Sequence, residues 1–343
     1  MTGSDQPWNC SCHACLYSER MILEPVRPIQ LSKIEHARQR IAKTIMRTPL
    51  VRLELGAEFP DIRLKLENLQ PINAYKLRGA ANAVAMLSDA NRRRGVWTIS
   101  AGNAGQGVAY AARAAGTPCT VVAVETAPQS KLERMKALGA KLITVPYEIA
   151  WKALDERSFP GVDGTFIHPF DDDDFIAGHG TIGLEILEDA PDTAAVIASI
   201  GGGGLITGVA SAIKALKPEI RVFGVEPETA APAALSFEKG SPQIFPNWRS
   251  SFVDGAGGQS MFPRMWERMK PVVDDYLVVT LKETQKAMRL LAEKARIISE
   301  GAGALPVAAA LSGKAGKGPI VAIISGGNID LQKFCDLISQ SDY

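Results

Sequence analysis

Gly201-Gly202-Gly203-Gly204-Leu205-Ile206-Thr207-Gly208 lies between an apolar run, Ala194 to Ile200, and a stretch of helical character, Val209 to Leu216. The run has the length and unbroken apolarity of a strand buried on both faces, the habit of parallel sheets. Four glycines between such a strand and a helix leave bare amide N–H groups at the helix N-terminus. No Cβ blocks an approaching anion there, and the helix dipole favours negative charge. A tight turn packing helix on sheet accounts for one or two glycines; four in a row favour a phosphate site. Neither common phosphate loop fits. The Gly-Lys-Ser/Thr ending of a P-loop is missing, and a dinucleotide-binding turn has no use for the extra glycines.

Strand–helix alternation extends in both directions from this loop. Ile34, Ala37, Ile41 and Ile45 recur at helical spacing, Ser32-Lys33-Ile34-Glu35 reads as a capping box, and Thr48-Pro49 ends that helix. Ile62, Leu64 and Leu66 alternate with Arg63, Lys65 and Glu67 as a strand, and a helix is expected from about Lys76 to Leu87. Residues 96–99, 119–124, 141–145 and 165–168 read as strands, separated by helices after 100–107, around Leu132 and around Trp151. Asp171 to Asp174 reads as a solvated turn before a helix from Phe175 to Leu187, where acids suit the N-terminus. Strand 222–225 precedes a long irregular stretch, 227–262, expected to be a subunit contact or an active-site lid. Helices near 284–295 and 302–312 lead to a last apolar strand, 319–324, ending at Ser325-Gly326-Gly327-Asn328. The pattern predicts an α/β fold of mostly parallel sheet with helices on both faces. Ligands of such folds bind beyond the C-terminal ends of strands. Loops 68–76, 100–107, 201–208 and 325–328 all fall at such ends and are expected to form one site.

A length of 343 residues suggests two domains. A net charge of +1 gives no electrostatic case for nucleic acid or an anionic membrane. No apolar run reaches the ~20 residues that span a bilayer, and the N-terminus lacks a signal-peptide core. Five cysteines are too few for a disulfide scaffold, which points to a reducing cytoplasm. Cys10, Cys12 and Cys15 with His13 have the types of a zinc set but sit too close together, so a reduced tail within residues 1–28 is expected and no metal is assigned. His36 reads as a surface residue of its helix.

Asn73-Ala74-Tyr75-Lys76-Leu77-Arg78-Gly79-Ala80 puts a lysine at a helix start. Such a lysine opposes the helix dipole, which lowers its pKa and suits it to form a Schiff base with an aldehyde. A lysine with its charge in water is the plain alternative; the phosphate loop favours the first reading. Further motifs follow in order: Glu67-Asn68-Leu69-Gln70, Ser100-Ala101-Gly102-Asn103 with Gln106-Gly107, and His168-Pro169-Phe170-Asp171. Gly180-Thr181-Ile182-Gly183-Leu184-Glu185, the tetraglycine loop, Ser299-Glu300-Gly301-Ala302-Gly303-Ala304 and Ser325-Gly326-Gly327-Asn328 complete the set. Taken together they resemble fold type II pyridoxal-phosphate enzymes, the tryptophan synthase β-like fold with two α/β domains. Within that fold the likeness is to the threonine/serine dehydratase and serine racemase family, over residues 32–335.

The resemblance implies a large cofactor domain from 29–94 with 169–343 and a small domain at 95–168. It implies that Lys76 holds pyridoxal 5'-phosphate and later moves the α-proton, and that Asn103 hydrogen-bonds the cofactor's 3-hydroxyl. Ser100, Ala101, Gly102, Asn103 and Ala104 would receive the substrate carboxylate. Backbone amides of Gly201, Gly202, Gly203, Gly204 and Leu205 would hold the phosphate, and Ser325 would partner the pyridine nitrogen. A neutral hydroxyl there weakens the electron sink, which favours prompt expulsion of a β-substituent over transamination. The implied reaction is α,β-elimination of water from a β-hydroxy amino acid, giving a 2-oxo acid and ammonia. Hydroxide is a poor leaving group, and the cofactor phosphate is the acid the family suggests. A homodimer is also implied.

Several positions depart from the family pattern. Ala74 stands where a small hydroxyl residue is usual, Ala101 where the racemases carry a second-face serine, and Ala104 where a histidine is usual. His179 stands where glutamine is common. Without a hydroxyl at 101 racemisation is disfavoured. The three alanines predict a pocket for a substrate bulkier than serine or threonine, such as phenylserine, with Ser/Thr as the open alternative. A monovalent or divalent cation site is in doubt, because Glu226 and Ala230 match it but Pro232 replaces an acid. No regulatory domain is expected after Tyr343, and with it no feedback control. Two other activities remain in view: β-replacement as in cysteine synthases, faintly echoed by 103–105 and 205–208, and a catalytically silent binding protein.

Overall fold

The computed structural model describes residues 25–339, so the cysteines of the N-terminal tail and their zinc question lie outside the described residues. Its strands are β1 (Leu50–Leu53), β2 (Ile62–Lys65), β3 (Val96–Ile99), β4 (Cys119–Val124), β5 (Lys141–Val145), β6 (Thr165–Phe166), β7 (Ala195–Ser199), β8 (Arg221–Pro227), β9 (Asp275–Val279) and β10 (Ile320–Ile323). They form a six-stranded sheet of order β1-β2-β10-β7-β8-β9 and a four-stranded sheet of order β5-β4-β3-β6. Among these strands only β1 with β2 is antiparallel.

The first half of the chain contributes α1 (Leu31–Ile41), α2 (Lys76–Ala85), α3 (Asp89–Arg94), α4 (Asn103–Ala114), α5 (Gln129–Ala137) and α6 (Tyr147–Glu156). The second half contributes α7 (Asp173–Asp189), α8 (Gly204–Leu216), α9 (Pro232–Lys239), α10 (Pro263–Met269), α11 (Leu281–Leu290), α12 (Gly301–Leu311) and α13 (Leu331–Ser339). In β7 every residue is buried because alternate side chains enter two different cores. Val196, Ala198 and Ile200 pack with α7, α8 and α10, while Ala195 and Ile197 pack with α11 and α12. Two covered faces require apolar residues at both parities, which is why the run does not alternate.

Several expected local features differ. α1 starts at Leu31 with Gln30 at its N-cap and no side-chain cap, so the capping box does not form, and it stops at Ile41 rather than running to Ile45. Past Ile41 the chain turns inward and delivers the Met46 and Thr48 carbonyls to the buried cations Arg78 and Lys65. Asp171 is not solvated: it is buried and bonded to Arg157 at 2.5 Å, Arg264 at 2.9 Å and Arg268 at 3.0 Å. Burial alone would push its carboxyl up, but the three guanidiniums hold it below the usual range. Asp172 caps α7 by accepting the Phe175 N–H at 2.8 Å. The stretch 227–262 contains α9, opened by Pro232 and stopped by Gly240 in the left-handed region (φ 72°), and α13 was not expected.

Candidate functional site

Because β2, β10 and β7 run parallel, the segments after their C-terminal ends emerge on one side of the large sheet, and the loop after β3 faces them. The Tyr75 N–H donates to the Ser325 carbonyl at 3.0 Å, and Ala74 forms a bridge with Gly326. A Cβ on Gly107 would come within 3.1 Å of the Lys76 carbonyl. On the other side, Cβ atoms on Gly202 or Gly204 would press on Phe170, and the Gly257 N–H donates to the Ile200 carbonyl at 2.7 Å. The long stretch thus lies against the start of the glycine loop. Three of the four expected loops, 68–76, 100–107 and 325–328, are joined directly. The glycine loop joins them through Ser199, whose hydroxyl lies 3.4 Å from that of Ser325.

Lys76 is the first residue of α2. Its Nζ donates to the Pro169 carbonyl at 2.6 Å and lies 5.3 Å and 5.4 Å from the ring centres of Tyr75 and Phe175. Burial pushes its ammonium down to about 7. The low value was expected from the helix dipole; desolvation among aromatic rings is the cause here. Near neutral pH about half of such amines are free to attack a carbonyl. Competitive amine labelling of the apoprotein is expected to give Lys76 a midpoint near 7, far below the ~10.4 of exposed lysines. A midpoint above 9 would remove burial as the source of its reactivity.

α8 starts at Gly204, and Gly203 precedes it in the left-handed region (φ 84°), where a side chain would be strained. The first-turn N–H groups of a helix have no intrahelical acceptor. A loop without Cβ atoms, those N–H groups and a half-buried amine suited to an aldehyde match a phosphate-bearing aldehyde cofactor. The residues fit the group.

Around these parts stand the polar residues. Ser325 is buried, and its neighbour Ser199 is likewise a neutral hydroxyl. The Gly102 N–H donates to the Ser100 hydroxyl at 3.1 Å, which shapes the loop ahead of α4. Ala101, Gly102 and Asn103 keep partial exposure there, while Ala104 is buried. Asn103 donates to Glu300 at 2.8 Å and accepts from Asn328 at 2.7 Å. Glu300 and Asn328 stand out in the sequence only as parts of motifs. Their contacts with Asn103 span 197 and 225 residues, and no local pattern announces them.

Both histidines of the region are buried and held neutral. His168 accepts the Asp171 N–H at 2.9 Å on Nδ1, and burial reinforced by Arg157 lowers its pKa to about 3. His179 packs edge-on to Tyr75 and Phe175, with no hydrogen-bond partner for either ring nitrogen among the described residues. Burial drives its pKa well below the usual value. Glu226 is buried and accepts the Ala233 and Ala234 N–H groups at 3.1 Å and 2.9 Å. The start of α9 therefore occupies its carboxylate. Among the described residues no group of three His, Cys, Asp or Glu side chains could hold a metal ion.

Similarity to known proteins agrees with this geometry. A family model described as pyridoxal-phosphate dependent enzyme matches residues 41–326. The L-threonine dehydratase catabolic TdcB of Staphylococcus aureus (strain USA300) is 39% identical over 327 residues, 92% of this chain and 94% of that one. The structure of maize serine racemase matches with a TM-score of 0.82 and 31% identity, covering 92% of this chain and 98% of that chain. The structure of a threonine deaminase from T.th. matches with a TM-score of 0.77 and 36% identity, over 88% and 99% of the two chains. With Lys76, the glycine loop, loops 68–76 and 100–107 and Ser325 all inside the matched span, the chain belongs to the pyridoxal-phosphate-dependent enzymes of fold type II.

Proposed function

We infer that this chain is an ammonia-lyase that converts a β-hydroxy amino acid to a 2-oxo acid and ammonia by eliminating water. The observation that carries this reading is the pairing of a half-buried, readily deprotonated Lys76 with a neutral hydroxyl, Ser325, across adjoining loops. The names of its relatives, threonine dehydratase and threonine deaminase, support the same reaction. When bound, pyridoxal phosphate supplies the electron sink that makes the substrate's α-hydrogen acidic.

The chain's residues do the rest. Lys76 would anchor the cofactor, and its Nζ, readily deprotonated near neutral pH, would remove the substrate's α-proton. The loop Ser100, Ala101, Gly102, Asn103 and Ala104 binds the substrate carboxylate and so orients the Cα–H bond toward Lys76. The N–H groups of Gly201, Gly202, Gly203, Gly204 and Leu205 fix the phosphate end at the start of α8. Asn103 addresses the phenolic oxygen. Ser325 offers the ring nitrogen a neutral partner, which favours loss of the β-hydroxyl over protonation elsewhere. In the net reaction the α-proton and the β-hydroxyl leave as one molecule of water, and the unsaturated amine released takes up one water and loses ammonia to give the 2-oxo acid. Ala101 supplies no second acid–base group, in keeping with elimination rather than racemisation.

The proposed division is a large cofactor domain of 29–94 with 169–343 and a small domain of 95–168, a reading supported by the separation of the strands into two sheets. A cytoplasmic homodimer is the matching assembly, to be checked by light scattering. Steady-state assays of 2-oxo acid from L-serine, L-threonine and phenylserine test the reaction. Turnover of at least one without added thiol is expected. Ala74, Ala101 and Ala104 predict phenylserine in the lead, with serine or threonine as the alternative, and faster threonine turnover would defeat that part. Product formation only with a thiol would replace elimination by β-replacement.

A further inference from the structure

We propose that Glu300 is a positioning residue that fixes the donor face of Asn103 and sets the charge beside the cofactor's phenolic oxygen. The proposal rests on the reading that Asn103 addresses that oxygen.

Its geometry can be deduced from groups with only one possible role. The Ile72 carbonyl can only accept, so the Asn328 atom 2.8 Å from it is the amide nitrogen. The Arg134 guanidinium can only donate, so its short contact is to the Asn328 amide oxygen. With Asn328 fixed at both ends, its nitrogen gives a second hydrogen to the Asn103 Oδ1 at 2.7 Å. The Asn103 Nδ2 must then face Glu300, and it does, 2.8 Å from Oε1. A flipped Asn103 would set two NH2 groups against each other. One Asn103 N–H is used by Glu300, and the other remains to donate into the site.

Glu300 is held as firmly as the amides. It is 3% exposed, it stands at the N-cap of α12, and its N–H donates to the Gly326 carbonyl at 3.1 Å. A Cβ on Gly326 would lie 2.5 Å from its Oε1, so the glycine after Ser325 makes room for this carboxyl. The charged and titratable groups facing it are Asp254 in the stretch 227–262, Lys131 on α5 and Tyr75 ahead of α2, and Arg134, bonded to Asn328, lines the same cavity. Lys131 and Asp254 pair with each other at 2.8 Å. Burial, reinforced by Asp254, raises the Glu300 carboxyl to about 7. Around neutral pH the group that accepts from Asn103 therefore changes between carboxylate and carboxylic acid.

The test is a pH titration of the holoenzyme's visible absorption between about pH 5.5 and 9, with kcat and KM at each pH. Asn103→Ala first checks the underlying reading: an unchanged spectrum would remove Asn103 from the phenolic oxygen and the proposal with it. Given a changed spectrum, wild type is expected to show a midpoint near 7, and Glu300→Gln, which keeps an acceptor but no titrating charge, is expected to abolish that midpoint. Glu300→Leu removes the acceptor, and kcat is expected to fall about ten- to hundredfold while KM moves less than about threefold. Should Glu300→Gln not fold, Glu300→Asp is read instead, and its midpoint must move from the wild-type value. A wild-type midpoint retained in Glu300→Gln, or unmoved in Glu300→Asp, overturns the proposal while leaving the assignment of Asn103 intact.

Discussion

Replacing Lys76 with alanine is expected to lower turnover of any β-hydroxy amino acid by at least about 10⁴-fold while leaving the fold in place. The side chain makes one hydrogen bond, to the Pro169 carbonyl, and no ion pair among the described residues, so little packing is lost. Both the anchoring amine and the base for the α-proton disappear with it. Stability carries a second signature. The lysine's folded pKa, about 7, is lowered from the 10.5 of an unperturbed lysine, so between those values the unfolded chain binds a proton that the native apoprotein does not. Stability of the wild-type apoprotein therefore rises with pH across that window and is lower on the acid side. Lys76→Ala removes this slope, and the apo variant should melt above wild type at neutral pH. Reconstituted variant would also lose the borohydride-fixed label. Full turnover, or a label found on another lysine, would end the assignment of Lys76 and the mechanism built on it.

How much of this was legible depends on whether a contact is local. β7 and the glycine loop could be read because a strand covered on both faces must be apolar at every position, and the four glycines are adjacent in sequence. Lys76 and Ser325 could be placed together because parallel strands deliver their following loops to one end of a sheet, whereas Asn103, after a strand of the other sheet, was legible only through its motif. Asp171 could not. Its surroundings are three arginines, 14, 93 and 97 residues away, and a run of four aspartates looks solvated unless those partners are known. Glu300 belongs to a glycine-rich motif that can be quoted from the sequence, but its partner Asn103 lies in the other sheet's loop. α13 carries a readable signal: Leu331, Phe334, Cys335 and Ile338 recur at helical spacing, and Phe334 is buried. The cause of the Lys76 shift is hidden from the sequence for the same reason as the surroundings of Asp171. The dipole of α2 is visible in the sequence, whereas the Phe175 ring that helps to desolvate the amine comes from α7, 99 positions further on.

Arg78→Met is expected to destabilise the protein by about 3–5 kcal/mol, because it breaks a buried ion network from one side. Arg78 is 0% exposed and forks onto Glu67 through Nε and Nη2, both at 2.8 Å. It also reaches Glu185 at 2.7 Å and 2.9 Å and the Thr181 hydroxyl at 3.0 Å. Lys65, equally buried, donates to Glu185 at 2.6 Å and to the Thr48 carbonyl at 2.7 Å, and Thr48 donates to Glu67 at 2.6 Å. Two cations balance two carboxylates, and the network ties β2, α2 and α7 together two residues from Lys76. In the variant only Lys65 faces both acids, so one buried carboxylate is uncompensated. The pH dependence identifies the cause. In wild type burial alone would raise Glu67, but Arg78 pulls it below its usual range. Its contribution to stability is therefore present above the unfolded value of ~4.3 and lost as pH falls through the folded one. Without Arg78 burial prevails and the carboxyl is raised, so the sign inverts: the variant is least penalised in mild acid and loses stability as pH climbs toward neutrality. Urea midpoints of wild type and Arg78→Met at about pH 5.5 and 8 should therefore lie closer together at the lower value. An equal gap at both would mean that the loss comes from packing of the long side chain and not from its charge, and the quartet would then be a filler of space rather than the clamp that holds the start of α2.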